Sequence, residues 1–110
     1  MAETISYEDF SKLDIRIGTI KEATPHPNAD KLIILKIDEG KEEPRQLVAG
    51  IKGYYKEEEI IGKKIVFLAN LEPKPLRGEV SNGMILAAVE RDSLALLTVD
   101  RDIPNNAKVQ

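Results

Sequence analysis

Leu32-Ile33-Ile34-Leu35-Lys36-Ile37, Asp38-Glu39-Gly40-Lys41, and Arg45-Gln46-Leu47-Val48-Ala49-Gly50-Ile51 form the stretch whose reading decides the fold. Two β-branched, apolar runs flank a turn-forming segment, which is the pattern of an antiparallel hairpin. The first run is apolar enough to predict cover on both faces for part of its length. Upstream, Pro25-His26-Pro27-Asn28-Ala29-Asp30 reads as a loop, because two prolines and an Asn/Asp pair favour turns. A strand is expected from Ile15, with Ile15 and Ile17 on one face and Asp14 and Arg16 on the other. Gly18 followed by Ile20 breaks that alternation and predicts a bulge or tight bend. Before it, Ser6-Tyr7-Glu8-Asp9-Phe10 reads as a short helical turn capped by Ser6, with Asp9 as a weak capping-box partner.

Downstream of the hairpin, Gly53 to Ile61 is the expected helical segment, stopped by Gly62. Lys64 to Leu68 reads as a fourth strand. Leu71 to Gly83, with Pro73, Pro75, Gly78 and Gly83, reads as a long loop. Met84 to Val89 and Leu94 to Val99 read as the last two strands, and the tail from Asp102 as irregular. Three strands, a short helix and further strands match an all-β, five-stranded Greek-key OB barrel with N- and C-terminal extensions. Spacing alone supports a small β barrel or sandwich.

One domain is expected over residues 1–110, with its core at about 14–90. Hydrophobic residues make up 42% of the chain, enough for one core, and no run approaches membrane-spanning length. The acidic N-terminus lacks the apolar segment of a secretory signal, and the absence of cysteine fits a reducing, cytoplasmic setting. Without cysteine there is no disulfide, thiol catalysis or cysteine-based zinc site. The only histidine, His26, is expected to be a turn or surface residue. No phosphate-binding Gly-x-x-x-x-Gly-Lys loop is present, and Glu57-Glu58-Glu59 reads as a solvated helix face. No acid/base pair, metal or cofactor is therefore expected, and the chain reads as a non-enzyme.

The net charge of −3 weighs against a nucleic-acid partner, because such proteins are usually basic. Distribution matters more than the sum, since scattered cations can gather on one face of an acidic protein. Lys31, at the end of the proline-rich loop, is placed to reach a phosphate, with Asn28 bonding the loop backbone or a ligand. Arg45 and Lys52 bracket the third strand, where OB folds bind nucleic acids; both equally suit a solvated strand end. Pro73-Lys74-Pro75 stiffens the backbone at Lys74, and Arg77 follows. Ser81-Asn82-Gly83-Met84 offers a hydroxyl, an amide and a polarisable thioether, a set suited to an unstacked base; Met84 equally suits the core. Aromatic residues are only 5% and fall outside these segments, so shape and a few polar contacts would have to dominate.

Asp14-Ile15-Arg16-Ile17-Gly18, His26-Pro27-Asn28-Ala29-Asp30-Lys31-Leu32, Arg45 to Ile51, Leu68-Ala69-Asn70-Leu71-Glu72-Pro73-Lys74 and Ser81-Asn82-Gly83-Met84-Ile85-Leu86-Ala87-Ala88 follow one another in this order. The succession resembles the tRNA-binding module attached to or associated with methionyl-tRNA synthetases. It is similar also to free-standing structure-specific tRNA-binding proteins and to CsaA-type export chaperones. The resemblance covers roughly residues 8 to 100. It implies an OB fold and a non-catalytic, cytoplasmic module of protein biosynthesis that binds the outer corner of tRNA. It further implies a homodimer, and a methionyl-tRNA synthetase that the module serves as a C-terminal domain or separate subunit. Asn28, Lys31, Arg45, Lys52, Lys74, Arg77, Ser81, Asn82 and Met84 are the RNA-contact residues so implied. The alternative is a CsaA-like chaperone that binds unfolded polypeptides through an exposed apolar groove.

Overall fold

A computed structural model describes residues 2–110, which form nine strands and two short helices. The first helix, α1 (Tyr7–Ser11), is capped as expected: the Ser6 side chain accepts from the Asp9 amide at 3.0 Å. The strand β1 (Ile15–Pro25) follows, eleven residues long. It is joined by β2 (Ile33–Asp38), β3 (Arg45–Ala49), β4 (Lys64–Leu68) and β7 (Met84–Ile85) in a five-stranded antiparallel sheet of order β3-β2-β1-β4-β7. The helix α2 (Glu57–Ile60) lies between β3 and β4 and is shorter than Gly53 to Ile61.

One long strand serves two neighbours. Residues Ile15 to Thr19 of β1 pair with β4, and Thr19 to Pro25 pair with β2. The register shifts between Ile20 and Glu22, so the bulge falls at Lys21, just after the Gly18–Ile20 break in alternation. Gly18 has a different task. A Cβ there would collide with Ile37 Cγ2 and stand 3.1 Å from Phe67 Cε1, so glycine lets the sheet pack across this point. Pro25 ends β1 instead of opening the loop.

The β2–β3 hairpin forms as read, with Ile33 opposite Ala49 and Ile37 opposite Arg45. Burial along β2 alternates strictly, however. Ile33, Leu35 and Ile37 are fully buried, while Ile34 and Lys36 are half-exposed on the outer face, where Lys36 Nζ donates to Gln46 Oε1 at 2.6 Å. Cover on both faces is thus not what β2 has; its sheet closes into a barrel with one inner face. Phe67, Ile20, Leu47, Ile60 and Ile65 complete the core. Each such side chain contributes roughly 1.5–3 kcal/mol by burial.

The segment Leu71 to Gly83 is not an irregular loop. It contains a hairpin, β5 (Lys74–Leu76) and β6 (Glu79–Ser81), turned at residues 77–78 with φ of 54° at Arg77 and 95° at Gly78. Positive φ at both central residues is the turn that matches strand twist. This hairpin closes the barrel against β3. The Asn82 amide donates to Gln46 O at 2.9 Å, the Val48 amide to Ser81 Oγ at 2.9 Å, and Gln46 Nε2 to Val80 O at 3.0 Å. The expected strand from Met84 to Val89 breaks at Leu86 into β7 and β8 (Ala87–Glu90), and β8 pairs with β9 (Ser93–Leu96). The architecture is a nearly closed OB-like barrel with short helices. The C-terminal tail is irregular as expected, yet anchored. Asn106 N donates to Ile17 O at 2.7 Å, and Val109 N to Ile15 O at 2.8 Å, covering the open edge of β1.

Candidate nucleic-acid interface

The loop after β1 is built around His26. Its ring is buried, 5% exposed, and joins two segments. The Asn28 amide donates to Nδ1 at 2.9 Å, and Nε2 lies 2.8 Å from Leu76 O. These partners require the neutral ring with its hydrogen on Nε2, donating to Leu76. His26 is therefore a turn residue but not a surface one. It fixes the loop against the end of β5, a role its solitary place in the sequence did not signal.

That tie brings Asn28 and Lys31 beside Arg77. The three, with Ala29, Asp30 and Leu32, line a shallow depression of about 350 Å³. Lys31 and Arg77 are exposed and make no ion pair among the described residues. Lys52 is close by, since its amide donates to Lys31 O at 3.3 Å. Its ammonium is held 3.1 Å from Glu57 Oε1 at the start of α2. A hydrogen bond from its own backbone, then the Lys52 ammonium, hold the Glu57 carboxyl below its ordinary value.

Lys74, Ser81 and Met84 border a second, largely apolar cavity of about 330 Å³ between the end of β3, the β5–β6 hairpin and β7. Met84 is 47% exposed and faces outward, because its neighbour Ile85 takes the inward position on β7. Asn82 is half-buried at the turn before it. Gly83 makes this turn possible: φ is 128°, and a Cβ would stand 2.5 Å from Leu68 O.

Two of the expected contact residues are spent inside the fold. Ser81 is buried; its hydroxyl accepts from Val48 N and donates to Gly83 O, both at 2.9 Å. The Arg45 side chain is 17% exposed and bonds Glu39 Oε2 at 3.0 Å, Asn82 O at 2.6 Å and Ala69 O at 3.2 Å. Its guanidinium also lies 5.4 Å from the centre of the Phe67 ring. Arg45 thus ties the barrel closure to the Asn82 turn and neutralises the buried Glu39. Glu39, six residues before it across the hairpin, was the available signal for this pairing. Exposed Lys31 and Arg77 share one depression, and exposed Lys74 begins the β5–β6 hairpin that Arg77 turns, on a chain of net charge −3.

Among the described residues no three His, Cys, Asp or Glu side chains converge as a metal site. No described helix is long and apolar enough to cross a membrane.

The family model described as "Putative tRNA binding domain" matches residues 15–108. The methionine–tRNA ligase of Pyrococcus horikoshii is 54% identical over 108 residues, covering 98% of this chain and 15% of that enzyme. This chain therefore spans about a seventh of the length of that curated relative. Among solved structures, a MetRS-related protein from Pyrococcus horikoshii superposes with a TM-score of 0.91 at 34% identity, covering 99% of this chain and 100% of that one. The chaperone CsaA from Bacillus anthracis superposes with a TM-score of 0.90, also at 34% identity, covering 98% and 100%. The chain belongs to the tRNA-binding domain family.

Proposed function

We propose that this chain is a non-catalytic module that holds tRNA for a methionyl-tRNA synthetase in the cytoplasm, as its C-terminal domain or as a separate subunit. The observation that carries this reading is the family match over residues 15–108, within which exposed Lys31 and Arg77 share one depression of an acidic chain. Lys31, Lys74 and Arg77 bind phosphates, with Lys52 adding to their field. Asn28, Asn82 and Met84 meet sugar or base. Arg45 and Ser81 act through the Asn82–Met84 turn that they hold. The relationship to a methionine–tRNA ligase supports that enzyme as the one served. Catalysis stays with that enzyme, because the described residues offer RNA a surface of cations and amides without a nucleophile–base pair.

A homodimer is part of the proposal. Tyr7 and Ile5 around α1 are 78% and 60% exposed, and Val89 on the β8–β9 hairpin is 63% exposed. α1 buries no residue of its own, so its apolar side chains gain cover from a second copy in an isologous pair.

A second reading, binding of unfolded polypeptide, draws on the largely apolar cavity beside Met84 and on the likeness to chaperone CsaA. A gel shift with total tRNA, competed by unstructured RNA and by an unfolded protein, separates the two. Displacement by unstructured RNA only in large excess, and none by the unfolded protein, supports the tRNA reading. Displacement by the unfolded protein supports the chaperone reading.

A further inference from the structure

The cavity beside Met84 has walls unlike those of a phosphate site. Ala49, Ile51, Leu76, Met84 and Leu94 line its sides, and Glu72 and Lys74 stand with them. Its volume of about 330 Å³ lies at the small end of ligand pockets. Glu72 and Lys74 are exposed, and neither enters an ion pair among the described residues. The cavity adjoins the cation cluster: Leu76 lines it, and Arg77, the next residue, lines the depression that holds Lys31.

An unstacked nucleobase has the matching shape and chemistry. It is flat, apolar on its faces and polar at its edge, and it carries a phosphate on either side. The aliphatic walls and the Met84 thioether can take the faces. A carboxylate accepts hydrogen bonds only, so Glu72 selects a base edge that donates. We propose that this cavity takes a single unstacked base bearing an exocyclic amine, which donates to Glu72, while a flanking phosphate lies against Lys74. Cations at the cavity and in the depression beside it complement a polyanion, which favours RNA over an apolar peptide as the occupant. The proposal rests on the tRNA-binding reading and adds to it a preference at one nucleotide. It also accounts for how a chain without aromatic platforms in its binding segments can hold a base.

Cytosine and uracil differ at one edge in an amine against a carbonyl, so labelled pentacytidylate and pentauridylate are the probes, with total tRNA beside them. The full chain is expected to bind pentacytidylate about tenfold more tightly, on the scale of one base-edge contact. Glu72→Gln should bring the ratio near one, because an amide can also donate to the uracil carbonyl; Glu72→Asp should keep much of it. Gly50 lines the cavity, and a Cβ there meets only Leu32 Cδ2 at 3.9 Å, where the cavity borders the neighbouring depression, so Gly50→Leu adds bulk at this edge without a clash at Cβ. With an unchanged circular dichroism spectrum, that variant should weaken tRNA and both oligonucleotides several-fold and leave the salt dependence of binding as it was. Equal binding of the two pentanucleotides, or normal tRNA binding by folded Gly50→Leu, overturns the base pocket while the tRNA reading stands. Absence of tRNA binding by the parent overturns both. Displacement of the oligonucleotides by an unfolded protein, lost in Gly50→Leu, overturns the proposal in favour of a peptide pocket.

Discussion

Replacing Arg45 by Met removes the guanidinium while keeping much of the stem volume. In the folded chain the change deletes bonds to Glu39 Oε2, Ala69 O and Asn82 O and the contact with the Phe67 ring. It also leaves Glu39, whose side chain is 5% exposed, with only Lys41 Nζ at 3.9 Å to balance it among the described residues. Breaking a buried ion pair by removing one partner costs about 3–5 kcal/mol. Lys41 and the partial exposure of Arg45 bring the expected loss to the lower end, about 3 kcal/mol. For a domain of this size that lowers the melting temperature by roughly 12 °C. Thermal and urea unfolding measure it, and pairing Arg45→Met with Glu39→Leu should recover much of the loss. At a temperature where the variant is folded, tRNA affinity should fall because the Asn82 turn loosens, and the salt dependence should stay at the parent value. A variant as stable as the parent whose salt slope drops by about one unit would refute the reasoning, since Arg45 would then bind phosphate directly.

Gly18→Ala should cost about 2 kcal/mol or more, because its Cβ runs into Ile37 and Phe67; urea midpoints measure this, and a neutral result would mean that the β1–β4 packing is looser than described. Lys52→Ala should raise the Glu57 titration toward its ordinary 4.5, followed by NMR of the side-chain carboxyl. Because the folded value is the lower one, any stability it contributes is present above the ordinary value and is lost as pH falls through the folded one. Sedimentation should find a dimer at micromolar concentration, and Tyr7→Glu should shift it to monomer; a parent that is monomeric there removes the proposed interface.

The parts of the fold set by local pattern were legible. Ser6 with Asp9, the β2–β3 hairpin and the strand Lys64–Leu68 each declare themselves within a few residues, whereas the one-sided burial of β2 was masked by its nearly continuous apolar run. The Arg77–Gly78 turn was hidden by Pro73 and Pro75, which made its surroundings read as loop although Gly78 marks a tight turn. The docking of the tail on Ile15 and Ile17 joins segments nearly a chain length apart, and no local signal carries it. At the candidate interface, side-chain direction was not readable from the sequence. Arg45, Ser81 and His26 are polar residues at plausible binding positions, and each is turned to partners within the protein. Lys31, Arg77 and Met84 are turned outward, and the hairpin that brings Arg77 to Lys31 depends on the bond from His26 to Leu76.

The central claim is that an acidic chain binds tRNA through a few gathered cations, and the dependence of tRNA affinity on salt tests it most directly. With two to four phosphate contacts, the slope of log affinity against log salt should be about 2 to 4 in magnitude. Changing Lys31 and Arg77 together to Ala should lower it by about two units without altering the melting temperature. Lys41→Ala and Lys56→Ala, on the hairpin turn and before α2, should leave it unchanged. An unchanged slope in the double variant, or an equal fall in the two controls, would contradict the account.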